Sequence, residues 1–268
     1  VCIQLNVIPA KAGIQARLGT LHARALGQRR APRMTSTITT AMVLAAGLGK
    51  RMRPLTDAVP KPLVRLKGKP LLDHVLDRLA DGGITRAVVN VHYKADQIEA
   101  HLAGRMHPEI VISDERDALL ETGGGVVRAL PLLGDAPFLI HNSDSVWIEG
   151  VGSNIARLIE AFDPKRMDSL LMLALGASSL GYGGQGDFVM APDGLIARRG
   201  ESRQAPFVFT GVSIAHPRLF DSAPAGPFSL NVVWDRAIRE GRLYGFRLDG
   251  AWMHVGTPEA VDEAEQWI

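Results

Sequence analysis

Cysteine is nearly missing from this chain. Cys2 is the only one in 268 residues, so neither a disulfide framework nor a thiolate metal cluster can form within one molecule. Long apolar runs are missing too: the longest, at 42–46 and 170–175, have the length of a strand, far short of the roughly 18 to 20 residues a membrane helix needs. Acid is absent from the first 33 residues, which hold Lys11, Arg17, Arg24, Arg29, Arg30 and Arg33. The other 24 lysines and arginines face 28 acidic residues, so the body of the chain is net acidic by about four. That removes the electrostatic ground for nucleic-acid binding. No HxH or HExxH spacing and no Ser-His-Asp elbow is present, which leaves hydrolytic chemistry unsupported.

What is present is an ordinary globular composition, 46% hydrophobic and 22% charged, which disfavours disorder, collagen or coiled coil for the whole chain. At roughly 150 residues per domain the length permits one large domain or two small ones. Residues 1–33 show neither a helical nor a strand period, and Met34 follows them. They read as a disordered arm or as sequence upstream of a start at Met34, with an Arg-rich targeting peptide as a third reading. They are expected to be dispensable. No secretory signal pattern is visible, and a cytoplasmic protein is expected.

From residue 41 onward, short aliphatic runs alternate with helical patterns, the signature of parallel strands joined by crossover helices. The spacing predicts strands at 42–45, 86–91, 110–113, 137–141 and 170–175, and helices at 71–81, 94–103, 124–130 and 153–162. Beyond Gly181 the texture turns Gly-rich, with strands expected at 187–191, 195–198 and 207–215. A helix near 230–240, a strand near 244–248 and a last helix opened by Thr257-Pro258 close the chain. The fold class expected is α/β: a Rossmann-like, mostly parallel sheet flanked by helices, with a small β-rich insertion. A single domain over 41–268 is expected, in two halves at about 41–150 and about 151–268, the second of which looks like an insertion carrying a substrate.

The strongest local signal is Leu44-Ala-Ala-Gly-Leu-Gly-Lys-Arg-Met-Arg-Pro54, a strand running into a Gly loop with clustered cations. Glycines let backbone approach a phosphate, and the cations match its charge. A P-loop would need Ser or Thr where Arg51 stands, and the dinucleotide fingerprint a third glycine where Met52 stands. Pro60-Lys61-Pro62 then holds one lysine between two fixed φ angles, an ammonium positioned at low entropic cost. Taken alone, the glycines could still be an ordinary turn and the cations a solvated surface.

These segments resemble the sugar-1-phosphate nucleotidylyltransferases, whose pattern is L-A-A-G-x-G-x-R-[ML]-x-P-L-T followed by K-P. The likeness continues through Glu121-Thr-Gly-Gly-Gly125, Asn142-Ser-Asp144, Gly186-Asp-Phe188, Phe209-Thr-Gly211 and Val255-Gly-Thr257, covering about residues 41–268. Within the family it runs towards the uridylyltransferases of N-acetylmuramate 1-phosphate, which serve bacterial cell-wall recycling. Guanylyltransferases of mannose 1-phosphate and thymidylyltransferases of glucose 1-phosphate are the alternatives, and a sensor that has lost turnover is a further one. No hexapeptide repeat follows Thr257.

The resemblance implies roles. Ala46, Gly47 and Gly49 would offer backbone groups to an NTP, expected to be UTP, and Lys50 and Arg51 would hold its β- and γ-phosphates. Lys61 would sit at the α-phosphate, while Thr122 and Gly123 would read the base; without the resemblance, 122–125 is simply a helix start. Asp144 would bind Mg²⁺, and Arg51, Lys61 and Asp144 would carry catalysis. Asn142, Asp187 and Glu201 would surround the sugar 1-phosphate. The chain departs from the pattern at His254, where the family usually has aspartate as second metal ligand. Imidazole suits Mn²⁺ better than Mg²⁺, so His254 would ligate a metal, bind phosphate as a cation, or simply pack. No membrane or nucleic-acid partner is expected.

Overall fold

The computed structural model describes residues 38–268, which form one compact unit. The readings made of residues 1–33 lie outside them. In β1 (Thr40–Leu44), Ala41 and Val43 enter one hydrophobic cluster and Met42 another, as a strand covered on both faces requires. A Gly loop, a 3₁₀ turn (Lys50–Met52), the one-turn α1 (Leu55–Ala58) and a small hairpin, β2 (Arg65–Leu66) and β3 (Lys69–Pro70), follow. Next come α2 (Leu71–Asp81), β4 (Arg86–Val91), α3 (Ala95–Leu102), β5 (Glu109–Asp114), α4 (Glu121–Leu133), β6 (Phe138–Asn142) and β7 (Ser145–Glu149). Then α5 (Asn154–Ala161), β8 (Ser169–Leu175), β9 (Phe188–Met190), β10 (Ile196–Arg198) and β11 (Phe207–Ala215). The chain ends with α6 (Asn231–Arg239), β12 (Leu243–Arg247), β13 (Gly250–His254) and α7 (Pro258–Glu265).

Strands β5, β4, β1 and β6 lie side by side and parallel. Strand β11 then runs antiparallel to β6 and to β8, and β12 pairs parallel with β8. The β9–β10 hairpin joins the same sheet at Phe188 and Phe207. The result is a mixed, mostly parallel α/β sheet, and the later strands complete it. Helices α2, α3 and α5 cover one face through Val75, Ile98 and Leu158; α4 and α6 cover the other through Val126, Ala129 and Val233. A third cluster, with Met52, Leu66, Met253 and Val261, ties the Gly loop to β13 and α7.

Three elements differ from expectation. Helix α4 starts three residues earlier than 124 and runs past Pro131. Its glycines weaken a helix on propensity, but their missing Cβ atoms allow close contact: a Cβ on Gly124 would lie 2.6 Å from the Gly226 carbonyl oxygen. Strands β7 and β13, not among the expected strands, form a separate antiparallel ribbon, Trp147 opposite Trp252. A pairing between segments about a hundred residues apart has no local signature.

Candidate active site

Of the expected residues, Ala46, Gly47, Lys61, Thr122, Asn142 and Asp144 line a cleft where β1, β4 and β6 end, at the carboxyl edge of the parallel strands, the place where open α/β sheets bind ligands. Leu44, Ala45, Asn90 and Glu115 line it as well. A Cβ on Gly47 would meet nothing within 4 Å, so this peptide faces open space. Gly49 does a different job. It is left-handed at φ 63°, and a Cβ would stand 2.9 Å from Thr56 Cγ2 and 3.1 Å from Lys61 Cβ. Thr56, buried, donates its hydroxyl to the Gly49 carbonyl at 2.9 Å, and buried Met52 pins the other side of the turn. Lys50 and Arg51 project from this anchored loop into solvent.

Lys61 stands in a 3₁₀ turn between Pro60 and the buried Pro62, and its ammonium pairs with Oδ2 of Asp144, just beyond β6. Burial alone would raise the Asp144 carboxyl, but Lys61, with a smaller contribution from His254, holds it below the ordinary carboxylate range. His254 arrives from the other end of the chain. The β7–β13 register sets it opposite Ser145, one residue from Asp144. The ribbon is fastened to β11, because Trp252 Nε1 donates to the Thr210 carbonyl at 3.1 Å and Ser145 Oγ donates to the same oxygen. Burial lowers the His254 pKa, Asp144 opposes that, and Arg51 and Lys61 add to it. The lowered pKa favours the neutral imidazole, the form a metal ligand takes.

The end of the cleft at α4 is built differently from the expectation for reading a base. A helix leaves its first four N–H groups without intrahelical acceptors. In α4 those of Gly123 and Gly124 go to the Phe228 carbonyl at 2.8 and 3.2 Å, so Gly123 has no N–H to offer a base. The N–H groups of Glu121 and Thr122, which line the cleft, have no partner among the described residues. Gly123 serves packing instead: a Cβ there would fall 2.3 Å from the Phe228 ring. Gly123→Ala is expected to cost about 1–3 kcal/mol by overpacking and to lower the thermal midpoint, read by calorimetry.

Beside these amides lies a residue that sequence reasoning missed. Glu115 follows β5, is fully buried and lines the cleft. The Ala45 N–H donates to Asn90 Oδ1 at 2.7 Å, which turns Asn90 Nδ2 towards Glu115 Oε1 at 2.8 Å. Oε2 is left without a hydrogen bond. Burial raises the Glu115 pKa against the pull of Asn90. The only signal in the sequence was an acidic residue just past an apolar strand.

A second cleft adjoins the first, sharing Thr122 and Asn142 and adding Asp187, Phe209, Arg198 and Trp234. Asp187 is fixed by the Phe209 N–H, which donates to its Oδ2 at 2.9 Å. Gly211, at φ 89° in the irregular stretch of β11, lets that strand pass Asn142: a Cβ would be 3.1 Å from Asn142 Cβ. Glu201 differs from expectation. It lies on an exposed turn and lines neither cleft.

Residues 40–183 match the Nucleotidyl transferase family. The chain is 50% identical to the N-acetylmuramate alpha-1-phosphate uridylyltransferase of Caulobacter vibrioides, over 84% of this chain and 95% of that one. The chain belongs to the sugar-1-phosphate nucleotidyltransferase family. The enzyme of the same name from Neisseria meningitidis serogroup B is 36% identical over 84% of this chain and 96% of its own. The fold is shared with the inositol-1-phosphate CTP transferase from T. maritima, with a TM-score of 0.69 at 19% identity, covering 86% of this chain and 98% of that one.

A nucleotidyltransferase of this family generally works with a divalent metal. Asp144 and His254, a carboxylate and an imidazole that the β7–β13 pairing brings near each other, are the residues that would hold it. Among the described residues no cluster of three or more His, Cys, Asp or Glu exists to hold an ion. The donor set therefore suits an ion that takes its other ligands from phosphate oxygens and water.

Proposed function

We propose that this nucleotidyltransferase moves a uridylyl group from UTP to N-acetylmuramate 1-phosphate, releasing pyrophosphate, as a cytoplasmic step of cell-wall recycling. A phosphate oxygen of the sugar 1-phosphate attacks the α-phosphorus, a new P–O bond forms, and the bond to pyrophosphate breaks. The attacking group is already anionic, so the protein needs no nucleophile or general base. Its work is positioning and neutralisation of charge by residues placed in advance. Gly47 lets the backbone approach the phosphates, Lys50 and Arg51 bind the leaving pyrophosphate, and Lys61 meets the α-phosphate. A divalent ion, held by Asp144 and His254, would add its charge to the same phosphates, and the imidazole shifts the balance from Mg²⁺ towards Mn²⁺.

The observation that carries the choice of base is Glu115. Its Oε2 is unpaired among the described residues and buried at the cleft wall, an acceptor for a base that reaches it, and the free amides of Glu121 and Thr122 ask for acceptors. Uracil presents an imino N–H between two carbonyls; cytosine presents a lone pair at that ring nitrogen. Thymine presents the same edge, and guanine an imino N–H beside one carbonyl, so the choice among these rests on the two uridylyltransferase relatives, as does that of the sugar. Asn142 and Asp187 supply polar groups for the sugar's hydroxyl and amide groups.

Pyrophosphate release, measured over UTP, CTP, GTP and dTTP against several sugar 1-phosphates, tests the reading. The highest kcat/KM is expected for UTP with N-acetylmuramate 1-phosphate. A higher value for GTP with mannose 1-phosphate, or dTTP with glucose 1-phosphate, replaces it, and no release from any pair favours a sensor. Glu115→Leu should narrow the UTP-over-CTP preference by roughly tenfold or more, because the buried acceptor is gone.

A further inference from the structure

The second cleft contains a single lysine or arginine, Arg198, at the end of β10. Its side chain is held on three sides. Nε donates to Asp235 Oδ1 at 2.8 Å and Nη2 to Asn231 Oδ1 at 2.8 Å. The guanidinium carbon lies 4.8 Å from the centroid of the Phe188 ring. Asn231 and Asp235 are one turn apart on α6, while Phe188 is the cross-strand partner of Arg198 in the hairpin. Helix and hairpin together place the group, and Nη1 keeps no hydrogen-bond partner among the described residues.

A hexose needs neutral or acidic partners for its hydroxyls, and Asn142, Asn231, Ser229 and Asp187 provide these in the cleft. A guanidinium whose geometry is fixed in advance, with donors to spare, matches a planar anion. Asp235 does not cancel it. The carboxylate side chain is 47% exposed, so water screens its charge, while the arginine fork has donors for two acceptors. N-acetylmuramate differs from N-acetylglucosamine by one substituent, the lactyl ether that ends in a carboxylate.

We propose that Arg198 binds the lactyl carboxylate of the sugar 1-phosphate and so selects an acidic amino sugar over its neutral parent. The inference rests on the reading of this cleft as the site for N-acetylmuramate 1-phosphate. Arg198 takes no part in the bond changes at phosphorus. Its effect is expected in the choice between sugars and in KM for the acidic one.

The test compares kcat/KM of the full chain for N-acetylmuramate 1-phosphate, its lactamide analogue and N-acetylglucosamine 1-phosphate, with UTP in excess. Wild type should prefer the acid to the lactamide. In Arg198→Gln the acid-over-neutral ratio should fall roughly 10- to 100-fold, the loss of a charge-assisted hydrogen-bond pair. Arg198→Lys, which keeps the charge and loses the fork, should fall between the two. Should Arg198→Gln fold poorly, Asp235→Asn supplies the second reading: it leaves the guanidinium and frees a donor, so the ratio should stay at or above wild type. Parallel loss for all sugars in Arg198→Gln, or an unchanged ratio, overturns the inference alone. A wild type that ignores N-acetylmuramate 1-phosphate and turns over another sugar 1-phosphate overturns the substrate reading, and this inference with it.

Discussion

Lys61→Ala is expected to lower kcat/KM by about 10²–10³-fold, the loss seen when one preorganised charge-stabilising donor is taken from a transition state. The size follows from placement. Pro60 and Pro62 fix the backbone on both sides, Pro62 is buried, and the ammonium is already at the Asp144 carboxylate among the cleft residues. No reorganisation remains to be done when charge shifts at phosphorus. The fold should survive, because the lysine contributes no atoms to the hydrophobic clusters, although Asp144 then loses its closest cation. In the wild type the depressed Asp144 pKa adds stability above the unfolded value of about 3.9, lost as pH falls through the lower folded value. Lys61→Ala should lose that contribution at neutral pH. Asp144→Asn should also be severely slowed, and the double variant should fall well short of the product of the two losses, since the groups act as a pair. Initial rates of pyrophosphate release with thermal unfolding of each variant decide the matter; turnover within threefold of wild type in Lys61→Ala would remove Lys61 from the mechanism.

Between pH 6.5 and 4 the protein is expected to lose about 3 kcal/mol of stability through one buried histidine. His141, on β6, is fully buried and stacks on Trp147 at 5.6 Å between ring centroids, with the Arg78 guanidinium 4.0 Å from the same tryptophan ring. Its Nε2 has no hydrogen-bond partner among the described residues, and burial pushes its pKa down to about 4. The unfolded chain takes up the proton below about 6.5, the folded chain only below about 4. Unfolding therefore binds a proton in that window, and stability falls with falling pH until the folded form titrates too. His141→Phe keeps a flat ring against Trp147 and removes the titration, so its urea midpoints at pH 7 and pH 4.5 should lie closer together than those of wild type. The depressed carboxylates of Asp77, Asp144 and Asp168 act below this window and do not imitate the effect. An equal spacing of midpoints in the two proteins would show that another group carries the acid sensitivity.

Much of the site could be read before folding because its chemistry is local. A Gly loop at a strand end, a lysine between prolines and an acid after a strand are stiff, short segments. Their positions at the carboxyl edge followed once the β/α alternation was recognised. Two readings at the same level changed on folding. Gly123 was expected to meet a base and instead gives its N–H to Phe228, and Glu201 was expected near the sugar and stands on an outer turn. Gly123 lies in the first turn of α4 and Glu201 in a loop, and what each backbone meets depends on the segments packed against it.

The amino-acid sequence by itself determined the layered α/β plan, the Gly loop and the position of Lys61, since periodicity, φ restriction and glycine freedom act over a few residues. Only the tertiary structure decided that His254 joins Asp144, through a ribbon between β7 and β13. It also decided that Asn90 turns Glu115 into an unpaired acceptor and that α6 and the β9–β10 hairpin hold Arg198 between them. The Asp144–His254, Asn90–Glu115 and Arg198–Asp235 pairs each join residues 25 or more positions apart in the chain. Such pairings cost loop-closure entropy that is recovered only when whole elements bury their faces together, so no short window of the sequence contains the balance that selects them.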